Sequence, residues 1–436
     1  MKLLCGLCVV AFLVGCSVKE PVEVTITQEP QVLKHISQNI TLYTNNLEDT
    51  VPDINQDDFE KQYFNAWNMD ISKFDLQSVQ WAFKTFKYGN SYGENLQLLN
   101  EEFFTQVQDN ANYETYGNIN KNALSLHELN IRAFPSDKPL LRDPSKAGEG
   151  FPFDYLQNTT IHANKPLFVT HYSKDKKWVH VFSSFAFGWV KSNEIVFLED
   201  YQVDLWKKAK QVFITQEGTP VYDKKGHFLF DTKLGMMFAL ISEDKEAYTV
   251  LAVSSLKFNK PLFLEVKLSK KVANKGIIGF NKHNVEMIMQ EIMKSNYGWG
   301  GMYGQRDCSS TLRDFYAPFG VWLPRNSYQQ SKLGEVLSLK DLSTDEKRKF
   351  IKENAKPFKT LLYKKGHIML YTGVVDGKIT ILQNVWGVKT KQEGIEGRYV
   401  VGKTIFSTLE LGSELENYDL NSSVLQNLQS INTLIN

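Results

Sequence analysis

Between residues 131 and 270 the chain alternates short β-rich runs with turn residues, and few kinds of fold accommodate this texture. One series reads PLFVTHYS, KDKK, WVHVFSS and FAFGWVKSNEIVFL, and a second reads QVFITQEGTPVYDKKGHFLF, MMFALISED and AYTVLAV. Each series places several short strands within roughly 60 residues, which is typical of a small antiparallel barrel. The sequence therefore predicts two small antiparallel barrels, over residues 131–200 and 201–270.

The segment before the barrels carries helical periodicity. Phe59, Tyr63 and Trp67 recur every four residues in DDFEKQYFNAWNM, and a similar aromatic stripe follows in LQSVQWAFKTF. Apolar residues at these spacings lie on one face of an α-helix, and such a stripe is usually core. We therefore expect a helical domain over residues 53–130.

After the barrels the pattern becomes mixed α and β. A helix is predicted through HNVEMIMQEIMKS, the Gly-rich loop YGWGGMYG follows, and another helix begins at Cys308. Asp376-Gly377 stands between two β-rich runs, which is a strong hairpin signal. We expect an α+β domain over residues 271–415 and a polar tail over 416–436 that wraps the surface or frays.

The first residues predict an export signal over residues 1–15. A short positive start precedes the apolar run Leu3–Val14, which is too short to span a bilayer as a helix, and LVGC ends at Cys16. LVGC resembles a bacterial lipobox, which implies lipidation of Cys16 and a membrane as partner; the alternative is an ordinary secretory signal. Ser17 favours delivery to the periplasmic side of an outer membrane. A polar tether is expected over residues 16–52.

Composition excludes several classes of function. The 436 residues are 42% hydrophobic and 13% aromatic, which is ample for real cores. Lys and Arg number 50 against 49 Asp and Glu, so nothing indicates a nucleic-acid surface. HExxH and closely spaced His/Cys sets are absent from the sequence, so neither a metal nor a cofactor is expected.

The cysteines single out one thiol. Three of the four cysteines lie in the first sixteen residues, so Cys308 has no disulfide partner in the mature chain apart from the lipidated Cys16. It is either a small buried hydrophobe or a nucleophile. Cys308 follows Asp307 at a predicted helix start, where exposed N–H groups and the helix dipole are expected to lower the thiol pKa. The Gly-rich loop before it is expected to let backbone approach a bound ligand.

The predicted hairpin contains candidates for a base and for the group that orients it. His367 stands at the start of the apolar strand GHIMLYTG and is the best placed of eight histidines. If Asp376-Gly377 is a two-residue turn, Val375 pairs with Lys378 and strand alternation puts Asn384 on the face of His367. A single bulge would select Gln383 instead.

The strings YGWGG, RDCSS, APFGVWLPRNSYQQ, GHIMLY and LQNVWG together resemble the NlpC family of cell-wall cysteine peptidases. DDFEKQYFNAW and GEGFPFDYLQNT extend the resemblance to an N-terminal stabilising domain and the first of two bacterial SH3-like barrels. The resemblance thus implies a multidomain fold: a helical N-terminal segment, two small antiparallel SH3-like β-barrels and a C-terminal α+β papain-like peptidase domain with circularly permuted elements.

The resemblance also implies roles for individual residues. Cys308 corresponds to the nucleophile, His367 to the general base, and Gln383 to the third polar residue, where related sequences tend to read HNVWG. The further implied substrate-binding positions are Tyr297, Trp299, Asp307 and Ser309, with Asp307 and Ser309 helping to hold the free amino group of an N-terminal L-Ala. The implied partners are peptidoglycan stem peptides, and the first barrel is expected to favour short ones.

The implied reaction is hydrolysis of the amide between γ-D-glutamate and a diamino acid, meso-diaminopimelate in the first instance, through a thioester on Cys308. Two other functions stay open at this point. Gln383 in place of histidine removes a titratable group, which favours a non-catalytic murein-binding scaffold lipoprotein. An acyltransferase on the same scaffold would resolve the thioester with an amine instead of water.

Overall fold

The computed structural model describes residues 31–33, 36–47, 54–257 and 260–435. They form a helical N-terminal region, two antiparallel β units and a C-terminal α+β domain, which confirms the predicted fold class. The predicted signal peptide and Cys16 lie outside these residues. Within the described ranges no helix is both long and apolar enough to cross a membrane.

The N-terminal region consists of short helices capped by side chains. Asn55 and Asn100 each accept a hydrogen bond from a backbone N–H of the following first turn. The aromatic stripe is core: Phe59 packs on Phe213 with ring centroids 5.6 Å apart. The helices are α1 Ile40–Thr44, α2 Gln56–Tyr63, α3 Leu76–Val79, α4 Trp81–Thr85 and α5 Glu101–Asn110, with 3-10 turns at Gln31–Leu33, Asn65–Asn68, Ile71–Lys73 and Tyr113–Thr115.

Part of the predicted tether is packed, so that prediction is wrong for residues 36–47. Tyr43 stacks on Phe406 at a centroid distance of 3.8 Å. The Gln38 side-chain amide exchanges two hydrogen bonds of 3.0 Å with the backbone N–H and C=O of Phe406. These few contacts fix the segment because they satisfy the backbone of a sheet's edge strand.

The first β unit is a seven-stranded antiparallel sheet that begins at Lys121, inside the region expected to be helical. The early start arises because the first strand pairs with both the fourth and the seventh. The strand order is β3-β2-β6-β5-β4-β1-β7. The bounds are β1 Lys121–Ser125, β2 Leu129–Arg132, β3 Gln157–Ile161, β4 Pro166–Tyr172, β5 Trp178–Phe182, β6 Phe187–Lys191 and β7 Ile195–Phe197. A 3-10 turn at Ser192–Glu194 connects β6 to β7.

The second β unit follows a helix and comprises a five-stranded and a two-stranded sheet. Trp206 of the helix is fully buried and meets Trp67 edge-on at 6.4 Å, which joins this unit to the N-terminal helices. The order of the larger sheet is β13-β12-β11-β8-β14. The bounds are α6 Asp200–Lys208, β8 Gln211–Ile214, β9 Pro220–Tyr222, β10 Phe228–Asp231, β11 Met237–Glu243, β12 Ala247–Lys257, β13 Lys260–Ser269 and β14 Ala273–Lys275.

The C-terminal domain is a six-stranded sheet of order β15-β20-β16-β17-β18-β19 with helices packed on it. The helix that begins at Cys308, α8, contacts β17 and β18. The bounds are α7 Lys282–Ile292, α8 Cys308–Tyr316, α9 Ser327–Gln330, β15 Glu335–Ser338, α10 Thr344–Asn354, β16 Thr360–Lys364, β17 His367–Val375, β18 Lys378–Gln392, β19 Ile395–Thr408, α11 Val424–Asn427 and β20 Leu428–Thr433, with 3-10 turns at Trp299–Gly304, Ala317–Phe319 and Leu420–Ser422.

The last strand corrects the prediction of a loose tail over 416–436. β20 lies between β15 and β16 and pairs with both. Its Leu428 and Ile431 are buried in the sheet's core. The segment reads as polar because Gln429, Ser430 and Asn432 intervene, although Asn432 is itself buried and donates to the backbone carbonyls of Gln330 and Leu333.

A buried histidine pair lies where the first sheet meets the N-terminal region. His171 and His180 both contact the Thr170 hydroxyl, and His171 Nε2 lies 3.0 Å from the carbonyl of Ala111. Burial lowers the pKa of His171 to about 4 and places the pKa of His180 well below its ordinary value. Both imidazoles are therefore neutral in the folded protein at neutral pH.

This pair predicts that the fold loses stability in acid. Below pH 6.5 the unfolded chain protonates His171 while the folded chain does not until about pH 4, so the unfolded state binds more protons. The loss from His171 alone is on the order of 3 kcal/mol between these pH values. In urea denaturation series from pH 7 to 4, His171→Gln should lose less stability than the parent protein. His283→Gln, which changes an exposed histidine, should match the parent; an equal acid loss in His171→Gln contradicts the prediction.

Candidate active site

The nucleophile candidate sits at the first position of α8. Asp307 caps the helix: its Oδ1 accepts from Ser310 N at 2.9 Å, and the Ser310 hydroxyl accepts from Asp307 N at 2.9 Å. This reciprocal capping box satisfies backbone donors that a helix start otherwise leaves free. The sequence therefore fixes Cys308 rigidly at a helix N-terminus, as predicted.

The electrostatics of the thiol differ from the expectation of a lowered pKa. Burial, followed by the Asp307 carboxylate, raises the pKa of Cys308 to about 12. The backbone N–H groups of Ile368 and Ser309 act in the opposite direction but are outweighed. The expectation is wrong for the unliganded protein, because desolvation and an adjacent anion exceed the effect of the helix terminus. Since Ile368 follows His367 in sequence, the same N–H contact places the sulfur beside the start of β17.

The imidazole of His367 is held by Gln383. His367 Nε2 lies 2.7 Å from Gln383 Oε1, and Gln383 Nε2 donates to the Ser407 hydroxyl at 2.7 Å. Ser407 in turn donates to the Thr408 carbonyl at 3.0 Å. This chain of donors fixes the orientation of the amide, so Oε1 accepts from Nε2–H and Nδ1 carries the free lone pair. Burial, with a smaller contribution from Lys364, lowers the pKa of His367 to about 4.

A bulge decides between Gln383 and Asn384. Val375 pairs with Lys378 as expected from the turn, but Tyr371 pairs with Ile381 and Gly373 with Thr380. Thr372 is thus an extra residue on β17, and beyond it the register places Gln383 on the face of His367. The simple count that favoured Asn384 is wrong for this reason. Asn384 instead donates to the Asn296 carbonyl at 3.3 Å.

The bulge is supported from the N-terminal segment. Asn46 Nδ2 donates to the carbonyl of the extra residue, Thr372, at 3.0 Å. Gly373 has a φ of 110°, and a Cβ there would overlap the Asn46 side chain, so this position needs glycine. A buried hydroxyl pair, Thr372 to Thr380 at 3.0 Å, completes the support.

Asp307 is paired with a cation that the sequence did not single out. Arg325 Nη2 donates to Asp307 Oδ2 at 2.6 Å and Nη1 donates to the Ser309 hydroxyl at 2.8 Å. Arg325 Nε donates to Thr159 Oγ1, on β3 of the first sheet, at 2.6 Å. Burial raises the pKa of Asp307, but Arg325 and Ser310 outweigh it, so the pKa lies below its ordinary value. From the described part of the chain Oδ2 receives this one hydrogen bond, so a lone pair is left for one more donor.

An aromatic wall combines two domains, and its Tyr297 lies near Asp307. Trp299 Nε1 donates to the Asp154 carbonyl at 2.9 Å, and its ring meets Tyr155 at 5.1 Å. Tyr297 meets Trp386 at 5.8 Å. Burial, then the charges of Cys308 and Asp307, raise the pKa of Tyr297, which keeps its hydroxyl a hydrogen-bond donor.

The Gly-rich loop serves a different purpose from the expected one. Gly300 and Gly301 press on β3: the Gly300 carbonyl accepts from Gln157 Nε2 at 3.2 Å, and the Gly301 carbonyl from the Thr160 hydroxyl at 2.8 Å. A Cβ at Gly300 would lie 2.6 Å from the Gln157 carbonyl oxygen. The glycines therefore let the loop approach the first barrel rather than a ligand.

A second buried arginine ties the other barrel to α8. Arg306 donates to Glu217 Oε2 at 3.0 Å and to Asp314 Oδ2 at 2.8 Å. Glu217 belongs to the second β unit and Asp314 to α8. The second barrel is thus joined to α8 through buried charge pairs, and the first barrel through the hydrogen bond from Arg325 to Thr159.

The structure brings together all seven sequence-predicted residues of this domain: Cys308, His367, Gln383, Tyr297, Trp299, Asp307 and Ser309. Sequence reasoning missed Arg325, Ser407 and Trp386. Arg325 lies in the quoted string APFGVWLPRNSYQQ, but no spacing rule links it to Asp307. Across the described ranges, no three His, Cys, Asp or Glu side chains converge as a metal site.

Models of four known domain types match the chain in the order of these units. They are the N-terminal NLPC_P60 stabilising domain at residues 5–116, an SH3 domain of SH3b1 type at 139–191, an SH3 domain of SH3b2 type at 200–245 and the NlpC/P60 family at 294–404. The last match includes Cys308, His367 and Gln383.

A solved structure shares this architecture. An NlpC/P60 endopeptidase from Photobacterium damselae subsp. piscicida superimposes with a TM-score of 0.80 at 21% identity, covering 94% of this chain and 98% of that one. An NlpC/P60 family protein from Bacillus cereus ATCC 10987 matches at 15% identity and a TM-score of 0.49, covering 72% of this chain and 100% of that one. No curated protein sequence matches. Residues 294–404 are therefore an NlpC/P60 family domain, which follows an NLPC_P60 stabilising domain and two bacterial SH3 domains in the chain.

Proposed function

We propose that this NlpC/P60 peptidase hydrolyses the amide between γ-D-glutamate and a diamino acid, meso-diaminopimelate in the first instance, in murein stem peptides. The observation that carries the proposal is the thiol of Cys308 at a helix start, in contact with the backbone N–H that follows His367, whose imidazole is oriented by Gln383 and Ser407. Acyl transfer requires a nucleophile, a base and a third group that orients the base.

The first half of the reaction begins from an uncharged pair. Because Cys308 rests as a thiol and His367 as a neutral imidazole, the sulfur proton passes to His367 Nδ1 as the sulfur attacks the scissile carbonyl carbon. A backbone N–H near Cys308 and the Tyr297 hydroxyl are the proposed donors to the oxyanion. The C–N bond then breaks, and His367 returns the proton to the leaving amine, which leaves a thioester on Cys308.

Water completes the reaction. It attacks the thioester carbonyl while His367 accepts its proton, and collapse of the second tetrahedral intermediate breaks the C–S bond. The proton on His367 returns to the sulfur as the acid product, L-Ala-γ-D-Glu, departs. An amine in place of water at this step would give a transpeptidase product, so the products distinguish the two reactions.

Recognition of a free amino terminus follows from the arrangement around Asp307. Its Oδ2 can accept one further hydrogen bond, and the wall of Tyr297 and Trp299 excludes water nearby. Trp299 is itself bonded to the first barrel at Asp154, so that barrel closes the amino-terminal side. This arrangement supports short stem peptides as substrates over intact sacculus.

We also propose that the barrels bind peptidoglycan and that Cys16 anchors the protein by lipid on the periplasmic side of an outer membrane. The support is the lipobox-like LVGC after an apolar run. Mass analysis of the Cys16 peptide from cells should show attached acyl chains that Cys16→Ser removes; an unmodified Cys16, or its absence from the mature protein, contradicts the anchor.

Hydrolysis is tested with L-Ala-γ-D-Glu-meso-diaminopimelate and mass spectrometry of the products. The parent protein should release L-Ala-γ-D-Glu, and Cys308→Ala should release none while keeping the parent's circular dichroism spectrum, because the substitution removes only the nucleophile. Full activity in Cys308→Ala contradicts the thiol mechanism. If neither protein cuts the peptide or a murein digest but both bind sacculi, the scaffold function stands instead.

The orienting chain predicts graded effects on the same reaction. Gln383→Ala should lower kcat roughly 100-fold, because nothing then holds the imidazole tautomer. Ser407→Ala should lower kcat about tenfold by freeing the Gln383 amide to rotate, whereas Ser407→Thr, which keeps the hydroxyl, should restore most of it. Asn384→Ala is the matched control and should retain activity. A larger loss in Asn384→Ala than in Gln383→Ala contradicts this assignment.

A further inference from the structure

Lys364 stands directly beside the proposed base and has no part in the mechanism above. It ends β16, and its Cα is the register partner of the His367 Cα across the β16–β17 hairpin. Side chains of directly paired residues project from the same face of a sheet, with Cβ atoms about 5 Å apart. The Lys364 side chain is therefore an immediate neighbour of the imidazole.

The second observation concerns the charges around Lys364. Among the described residues, no carboxylate lies within ion-pair distance of its ammonium, whereas Arg325 and Arg306 are both paired with carboxylates. Lys364 is only partly exposed, and burial lowers its pKa while the Cys308 sulfur, when charged, raises it. A partly buried ammonium that faces a reactive thiol without a partner is costly unless an anion arrives there.

The proposed substrate supplies such anions. γ-D-Glutamate carries an α-carboxylate, and the diamino acid carries a carboxylate on the carbon next to the scissile nitrogen. The acidic and aromatic wall at Asp307 occupies the amino-terminal side, while His367 gives its proton to the leaving amine. Lys364, beside His367, thus lies on the leaving-group side, where the diamino-acid carboxylate is the nearer anion.

We propose that Lys364 is a substrate-binding residue whose ammonium pairs with a substrate carboxylate beside the scissile amide, in the first instance that of the diamino acid. The proposal rests on the proposed peptidase function and extends it to the leaving-group side of the site. It makes a free carboxylate at this position a requirement for efficient cleavage. Lys364 would then bind a carboxylate on one side of the scissile bond, and Asp307 would bind the peptide ammonium on the other.

The kinetic test uses the full-length protein and three synthetic peptides: L-Ala-γ-D-Glu-meso-diaminopimelate, the same peptide amidated at the diamino-acid carboxyl next to the scissile nitrogen, and the same peptide amidated at the glutamate α-carboxyl. For Lys364→Met we expect kcat/KM on the first peptide to fall roughly 10- to 100-fold, mainly through KM. For the parent protein, kcat/KM should be lower by a similar factor on the peptide amidated at the diamino acid than on the free peptide. For Lys364→Met, this amidation should lower kcat/KM little further.

The peptides separate the two carboxylate sources. If the parent loses kcat/KM by the same factor as Lys364→Met only on the peptide amidated at glutamate, the ammonium pairs with the glutamate carboxylate. That result overturns the assignment to the diamino-acid carboxylate. Lys365→Met, at the exposed neighbouring lysine, is the matched control and should behave as the parent. Equal kcat/KM for Lys364→Met and the parent on all three peptides overturns the carboxylate anchor while leaving the peptidase function intact.

A binding measurement keeps the inference testable without turnover. Cys308→Ala and the double variant Cys308→Ala/Lys364→Met are titrated calorimetrically with the uncut tripeptide and its amides. We expect the double variant to bind the tripeptide roughly tenfold or more weakly and to ignore amidation of the diamino acid. If parent turnover is absent but this difference holds, the proposed hydrolysis fails and the anchor stands. Equal binding by both variants, or no binding by either, overturns the anchor.

Discussion

The buried ion pair between Arg325 and Asp307 is the interaction on which the site depends. Asp307 starts the helix that carries Cys308, and Arg325 joins it to Ser309 and to Thr159 of the first barrel. Removing one partner of such a buried pair leaves an uncompensated charge, at a cost of about 3–5 kcal/mol. Arg325 therefore couples the position of Cys308 to the position of the first barrel.

The same carboxylate has an electrostatic consequence. It adds to burial in raising the pKa of Cys308, so the helix terminus alone does not produce a resting thiolate. In the proposed mechanism, His367 activates the thiol by accepting its proton when a scissile carbonyl is in place. The geometry of the base rests on contacts far from it in sequence: Asn46 supports the bulge at Thr372, and the bulge brings Gln383 to His367.

The amino-acid pattern was sufficient for the sequence of domains, the helix start at Cys308, the turn at Asp376-Gly377 and the pairing of Val375 with Lys378. These features depend on local propensities: β-rich runs, a capping aspartate and a two-residue turn. The motif match also favoured Gln383, the residue that bonds His367, over the residue count. What a count of residues could not reveal was the extra residue at Thr372, because it is stabilised by Asn46 more than 300 positions away.

Other differences have the same origin in long-range contacts. Residues 36–47 were expected to be a tether because they are polar, yet Gln38 and Tyr43 fix them on Phe406. The polar C-terminal segment contains a strand. Its Asn432 can be buried there because it donates to backbone carbonyls in and near α9. Arg325 could not be assigned from spacing, because the carboxylate that it meets is defined only when the loop after α8 folds back.

We propose that α8 and the first barrel together hold the amino end of a short peptide with its scissile carbonyl at Cys308. A crystal structure of Cys308→Ala with uncut L-Ala-γ-D-Glu-meso-diaminopimelate tests this most directly. We predict that the peptide ammonium lies within hydrogen-bond distance of Asp307 Oδ2, against the ring of Trp299, with the γ-carbonyl carbon over residue 308. A peptide bound in the opposite direction, or only on the barrels, would contradict the account.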